Sequence, residues 1–415
     1  MALQFNPPQK VRGMKILNRE AFAVNYKVPA LKIDAQFCSV ILKQLSGCLL
    51  NKPRLKNIVP DSDKDSKKKI VLLDPTTSFS KKQKVLIKDG NCEEISYEIV
   101  LNYAYWSTDQ ILRAVLPENI PEVTTAFEAI GHIAHMNLRD CHLDYKYLIG
   151  KVILDKNSPQ IKTVVNKLNT IDETYRFFKM ELLAGEENMI TTVKEHGCTF
   201  TLDFSKVYWN SRLQSEHKRL VDIFQKDEIV CDMFAGVGPF AIPAAKKGCV
   251  VYANDLNPNS YEALVQNCQL NHVKDKVHCY NIDARLLLKH LLKNDKCLYF
   301  DHVIMNLPAT AVEFLHVFHD LYSDVEGVKN DVFDEVKLKL PKIHCYCFSK
   351  AHDPIKDAKN QVLLQLGVMN LENCTVHNVR NVAPRKHMVC VTFQLPQCVA
   401  FAQHRVAGGS KTLRK

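Results

Sequence analysis

The segment Tyr208-Trp-Asn-Ser-Arg212-Leu-Gln-Ser-Glu216-His217-Lys-Arg219 places a carboxylate among guanidinium groups, a phenol and an imidazole. If Asn210 or Ser211 caps a helix here, Arg212 and Glu216 stand i, i+4 on one face. As an exposed pair they add only ~0.2–0.5 kcal/mol of helix stability. As a partly buried pair, Glu216 becomes a general base and Arg212 the group that orients it. Spacing alone leaves both readings open. Further along, Asp232-Met-Phe-Ala-Gly236-Val-Gly238 carries two glycines that let backbone turn sharply and approach a ligand closely. It is not a dinucleotide fingerprint, since Pro239 and Phe240 follow the second glycine. Asp255, in Asn254-Asp255-Leu256-Asn257-Pro258, can accept from both hydroxyls of a ribose, or can simply charge a helix N-terminus. In Asp283-Ala284-Arg285 the acid can accept from an adenine amino group, and a backbone N–H can donate to the ring. Together these three groups describe a pocket for an adenosine.

Such groups converge only if each follows a strand in the same sheet. Ile229–Phe234, Val250–Asp255, Val277–Asn281, His302–Asn306 and Ile343–Phe348 are short strand-like runs. Helical spacing fills Pro239–Lys247, Ser260–Asn271, Ala284–Leu292, Ala311–Phe318 and Ile355–Leu366 between them. This alternation requires a parallel sheet covered on both faces. Cys374–Arg380 and His387–Gln394 read as a closing antiparallel hairpin. Five parallel strands and a terminal hairpin predict an α/β class I methyltransferase fold of Rossmann-like type over 206–396. In that setting Asn306-Leu-Pro308-Ala is a variant of the Asn-Pro-Pro-aromatic signature of methyltransferases that act on planar nitrogen. Two smaller α/β domains are expected before it, at 1–117 and 118–205, and a basic tail after it at 397–415. Within them, Ala30–Ile33, Ile70–Leu73, Val85–Ile87, Tyr97–Leu101, Ala126–Ile130, Ile133–Leu138, Val152–Asp155 and Thr199–Phe204 read as strands. Phe37–Leu45, Ser107–Leu116 and Leu143–Val152 read as helices, and Lys52–Lys69 as a polar loop.

Composition excludes other classes. At 46% hydrophobic and 24% charged residues, the chain is that of a globular protein rather than a disordered scaffold. Every apolar run falls short of the ~20 residues that span a bilayer, so no membrane partner is expected. The 15 cysteines include no CxxC pair and fit neither a zinc finger nor a disulfide framework. His132, His135, Cys141 and His142 cluster in sequence but lack zinc spacing, so core and backbone-bonding roles are expected and no metal site. The net charge is +10. Lys52–Lys88 holds eleven Lys/Arg against four Asp, and the first 19 residues and the tail are basic without acids. Basic segments on a mildly acidic body suit a polyanion partner, although solvated loops have the same composition.

The motifs resemble the tRNA (guanine-37-N1)-methyltransferase family of archaea and eukaryotes. The residues that carry the resemblance are Gly131-His-Ile-Ala-His135-Met-Asn-Leu-Arg139, Tyr175-Arg176, Glu181-Leu-Leu-Ala-Gly185-Glu, Tyr208, Arg212 and Glu216, Asp232 to Phe240, and Asn306-Leu-Pro308-Ala. It covers residues 100–395. Ser211 replaces a frequent proline of the family, and His217 replaces an arginine of its archaeal members. The resemblance implies a monomer that moves a methyl group from S-adenosylmethionine to N1 of the guanosine 3′ of the anticodon. It implies that Glu216 removes the N1 proton, Arg176 bonds the base or a phosphate, Asn306 holds the base edge, and Tyr208 fixes base and methionine. It assigns the cofactor to His217, Asp255, Leu256, Asp283, Ala284 and Asn306. The implied partner is tRNA, through its anticodon loop and body. The implied location is the cytoplasm and nucleus, with the mitochondrial matrix. The chemistry is consistent: guanine N1 is a poor nucleophile until its proton leaves, and a carboxylate tuned up from ~4.3 by burial suits that task. Two rivals remain at this point. One is a wybutosine-pathway aminocarboxypropyl transferase using the same cofactor, and the other is a tRNA-binding protein without catalysis.

Overall fold

The computed structural model describes residues 4–61, 63, 67–89, 92–120, 122–123, 125–171, 175, 178–294, 299–323 and 339–401. The chain divides into two compact units. One comprises Met1–Ala129, Ala134–Asn166 and Glu181–Glu187; the other comprises Ile130–Ile133, Lys167–Met180 and Asn188–Lys415.

The N-terminal elements are β1 (Val24–Asp34), α1 (Cys38–Gln44), β2 (Ile58–Pro60), β3 (Lys68–Leu72), α2 (Lys81–Asp89), β4 (Glu93–Leu101) and α3 (Thr108–Val115). Strands β2-β3-β1-β4 form an antiparallel sheet. Next come β5 (Glu128–Ile130), β6 (Ile133–Met136), α4 (Lys146–Asn157), β7 (Thr163–Ile171) and β8 (Phe178–Gly185), whose strands pair in that order. The expected boundary at 117 is not a break in packing. Trp106, Ile111, Leu112 and Val115 share one buried core with Met136, Leu148, Ile149 and Val152. Arg19 also reaches Asp155 on α4 through two hydrogen bonds of 2.8 and 2.9 Å.

Three expectations fail in this unit. Val85–Ile87 lies inside α2 rather than in a strand. Ser80 and Gln83 bond reciprocally there, Ser80 N–H donating to Gln83 Oε1 at 2.9 Å and Gln83 N–H to Ser80 Oγ at 3.4 Å. That is the capping-box pattern that also opens α3 at Ser107 and Gln110. Val152–Asp155 belongs to α4, whose buried Leu148, Ile149, Val152 and Ile153 repeat at helical spacing. Lys52–Lys69 is not all loop, since it contains β2 and the start of β3. Strands β7 and β8 lie where the sequence pattern offers no strand signal.

The second unit contains the hairpin β9 (Ile190–Glu195) and β10 (Cys198–Asp203), then α5 (Gln214–Ile223) and the expected alternation: β11 (Ile229–Asp232), α6 (Ala241–Lys247), β12 (Val250–Asn254), α7 (Pro258–Leu270), β13 (Val277–Tyr280), α8 (Ala284–Asn294), β14 (His302–Met305), β15 (Lys342–Ser349), α9 (Pro354–Leu366), β16 (Thr375–Ala383), β17 (Lys386–Gln394) and α10 (Gln397–Ala400). Residues Ala311–Phe318 form a 3-10 helix after β14. The sheet order is β13-β12-β11-β14-β15-β17-β16; β11 to β15 are parallel, and β17 and β16 pair antiparallel. This is the expected methyltransferase-type sheet with its terminal hairpin. Cys345, Cys347, Val389 and Val391 point into one apolar core with α8 and α9. Strand alternation therefore turns Tyr346 and Cys390 to the opposite face.

Candidate active site

Three parallel strands end side by side, so the loops that follow them meet at one edge of the sheet. The loop after β11 turns at Gly236 (φ +55°) and Gly238 (φ +99°). A Cβ at Gly236 would meet no atom within 4 Å, which leaves space for a ligand, whereas one at Gly238 would come 2.8 Å from Ile242 and Leu264. Two side chains hold this loop. Asp255 Oδ2 accepts from Gly236 N–H at 2.8 Å, and Asn267 donates to the Val237 carbonyl at 3.2 Å. Asp255 Oδ1 also accepts from Asn257 N–H at 2.9 Å. Burial raises the Asp255 carboxyl to about 6, against the lowering effect of these two hydrogen bonds. Leu256 beside it is exposed, and Asn281 fixes the turn by donating to the Asp255 and Leu256 carbonyls. After β13, Asp283 accepts from Arg285 N–H at 2.9 Å and from its guanidinium at 3.1 Å, while Ala284 opens α8 and is buried.

Two groups at this edge have hydrogen-bonding capacity that the protein does not use. Both oxygens of Asp232 are buried, and among the described residues only the Phe234 backbone N–H approaches them, short of a well-formed hydrogen bond. Burial pushes this carboxyl up to about 8. Asn306 Oδ1, just past β14, is likewise buried without a partner among them. A ligand with a cationic head and an adenosine end fits this set. Asp232 would take the ammonium of a methionine moiety, Asp255 its ribose, and Asp283 with Ala284 its adenine. S-adenosylmethionine has these parts.

Glu216 lies next to this edge on α5 and is only 4% exposed. Its orienting partner is not Arg212, the candidate that i, i+4 spacing offers. Arg212 sits exposed in a 3-10 turn where Asn210 caps its N–H. One turn further along α5, Arg219 instead donates two bonds of 2.7 Å to the two Glu216 oxygens. Tyr346 O–H donates a third of 2.7 Å to Oε1. Hydrogen bonding to Glu216 raises the Arg219 guanidinium further, and burial first, then nearby Cys390 and Glu216, hold the Tyr346 phenol well above its usual range. His377 Nε2 stands 3.5 Å from Oε2.

His217 follows on the same buried face, its Nδ1 2.6 Å from Glu195 Oε1 on β9 and its ring 4.8 Å from Phe240 at the end of the glycine loop. Tyr208 is half exposed and its oxygen accepts from Asn210 at 3.2 Å. Arg176 lies outside the described residues. Glu195, Arg219, Tyr346 and His377 were missed as site residues. Arg219 had a local signal, at i+3 from Glu216. The others come from strands that only the folded sheet brings to α5. Two of the three clustered histidines bond to backbone: His142 Nε2 lies 2.7 Å from the Glu122 carbonyl and His132 Nε2 3.2 Å from that of Asn188.

Residues 191–356 match the TRM5/TYW2 methyltransferase domain and 108–188 the TYW2 N-terminal domain. A Xenopus tropicalis protein named tRNA (guanine(37)-N(1))-methyltransferase is 47% identical over 99% of this chain and 84% of its own length. The crystal structure of Trm5b from Pyrococcus abyssi is 25% identical, with a TM-score of 0.59 over 88% of this chain and 99% of the other. A complex of aTrm5 with tRNALeu, 22% identical, shares the fold with a TM-score of 0.63 over 88% of this chain and 99% of that one. The chain belongs to the tRNA (guanine(37)-N(1))-methyltransferase family.

Proposed function

We propose that the protein methylates N1 of guanosine 37 in tRNA, with Glu216 as the general base. The observation that carries this reading is a buried carboxylate, held by Arg219 and Tyr346, near strand ends that carry Asp232, Asp255, Asp283 and Asn306. When bound, S-adenosylmethionine supplies a methyl group on a sulfonium, which departs as a neutral thioether. The protein's own residues do the rest. Arg219 and Tyr346 fix both oxygens of Glu216 so that it meets the N1–H in one orientation. Asn306 Oδ1, with no partner among the described residues, accepts from the base edge. Tyr208, exposed, helps fix the base and the methionine, and Arg176 contacts the base or its neighbouring phosphate. His217, locked by Glu195 and packed on Phe240, supports the glycine loop at the methionine end.

An aminocarboxypropyl transfer would attack a different carbon of the same cofactor and has no evident use for a base at the N1 edge. A binding protein without catalysis would have no need to keep Glu216 buried and hydrogen-bonded. The finer reading is a monomer acting on cytoplasmic, nuclear and mitochondrial tRNA pools, in tRNA-Phe as a step towards wybutosine. The test is incubation with S-adenosylmethionine and transcripts carrying G or A at position 37, followed by mapping of the modified base. Methyl on N1 of the G transcript alone is expected; modification of both, or of another atom, would overturn it.

A further inference from the structure

The general base has to lose the proton it collects. Glu216 is almost completely buried, and its one approachable side must face the guanine during transfer. Among the described residues its partners are Arg219, Tyr346 and His377. Arg219 has no lone pair with which to accept a proton. Tyr346 already donates to Glu216 and is itself fully buried. His377 differs from both: its imidazole has an acceptor nitrogen, and its side chain is 48% exposed.

The register of the sheet explains how these residues meet. On β17, Cys390 lies directly opposite Tyr346 on β15 and directly opposite His377 on β16. Tyr346, Cys390 and His377 therefore form one row across three strands on the face under α5. Glu216 spans the row, with Oε1 on Tyr346 and Oε2 toward His377 at the edge strand. Cys390, in the middle, is buried and its thiol is pushed up to about 12 by burial, so it takes no proton near neutral pH. The row has a dry end at Tyr346 and a wet end at His377.

We propose that His377 is a proton relay, carrying the proton that Glu216 takes from guanine N1 out to solvent. This rests on Glu216 being the general base. The N1–H bond breaks as the N1–methyl bond forms, and the proton goes to a Glu216 oxygen. It then passes to the lone pair of His377 Nε2. The resulting imidazolium gives its Nδ1 proton to water, so each methyl transfer releases one proton and restores the Glu216 carboxylate; exchange of the Nε2 and Nδ1 protons with water at the exposed ring then returns His377 to its starting tautomer.

The experiment compares full-length wild type, His377→Ala, His377→Gln and Glu216→Gln on a guanosine-37 transcript with S-adenosylmethionine, with and without added imidazole. Both His377 variants should lose ~10-fold or more in kcat, with KM for tRNA changed less than about threefold. Imidazole should restore much of the loss in His377→Ala, where the cavity admits it, and nothing in Glu216→Gln. Turnover of both His377 variants within about twofold of wild type would overturn the relay, as would a loss that lies in KM or ignores imidazole. If Glu216→Gln itself keeps its rate, the general-base reading fails instead, whatever His377 does.

Discussion

Asp232 is buried with neither oxygen in a well-formed hydrogen bond among the described residues, and burial raises its carboxyl to about 8 against the lowering effect of the Phe234 backbone N–H. Without a ligand, the folded protein holds a proton there that the unfolded chain releases near pH ~4. Stability from this group is therefore full below pH ~4 and is lost as pH rises towards about 8. Asp232→Asn should flatten that decline, as measured by urea unfolding at several pH values; parallel curves for the two proteins would sink the idea. A cation brought against Asp232 should eject the proton. Calorimetry of S-adenosylmethionine binding near pH ~7, in buffers of different ionisation enthalpy, should show proton release that is absent in Asp232→Asn. Glu216→Gln should keep cofactor affinity but lower the single-turnover rate ~10²-fold or more, the scale of a lost general base. The Arg219 pairing makes a further distinction. Arg219→Ala leaves a buried carboxylate short of two charged donors and should cost on the order of 3 kcal/mol in stability. Arg212→Ala, at an exposed turn, leaves the Arg219 and Tyr346 bonds to Glu216 in place and should cost less than Arg219→Ala. Equal costs for the two would return Arg212 to the orienting role.

Helix α4 shows how packing overrides propensity at the level of an element. Gly150 lies in its middle, where replacement by alanine would normally add ~1 kcal/mol of helix stability. A Cβ at Gly150, however, would stand 2.5 Å from Leu183 Cβ on β8. Neither atom sits at the free end of a flexible side chain, so helix or strand must shift, at ~1–3 kcal/mol. Gly150→Ala should therefore lower the unfolding free energy by up to ~2 kcal/mol net, and a more stable variant would mean that α4 and β8 are farther apart. Similar short-range ambiguity limits what the residues disclose about the N-terminal unit. Val85–Ile87 and Val152–Asp155 are brief apolar runs with β-branched residues, and only their flanks identify them as helix: Ser80 with Gln83 for α2, Leu148 and Ile149 for α4. The later alternation is legible because buried parallel strands read as short apolar runs, each followed by a helix, some with a clear cap such as Asn257 before α7 and Asp353 before α9. The strand-end positions of Asp255 and Asp283 are legible for a related reason: each follows a short apolar run in its own motif. The setting of Glu216 is not. Tyr346 is 130 residues away and His377 farther still, and their meeting depends on the order β15-β17-β16, which no local pattern specifies.

For the whole molecule, charge distribution matters more than net charge, and the correction at α2 changes its meaning. As a helix, residues 81–88 place Lys81, Lys84 and Lys88 at i, i+3 and i+7 in one exposed stripe that borders the buried Ile87. Arg54, Lys56 and Lys67 are exposed in the same N-terminal unit. A basic stripe on a helix suits the regular phosphates of a nucleic-acid backbone better than a solvated loop does. Deleting residues 1–117 would not test this cleanly, because Trp106, Ile111 and Leu112 share a core with α4 and β6, which the cut would expose. Charge substitutions on the helix avoid that problem. Lys81→Gln, Lys84→Gln and Lys88→Gln together should leave the unfolding midpoint nearly unchanged, since none of the three is buried. They should weaken tRNA binding at low salt and reduce the log–log slope of affinity against salt by ~0.7–0.9 for each phosphate no longer neutralised, hence by up to ~2–3 in all. Methyl transfer at saturating tRNA should persist, because Glu216, Asn306 and the strand-end acids all belong to the other unit. An unchanged slope would mean that α2 touches no phosphate and that its lysines serve solubility alone.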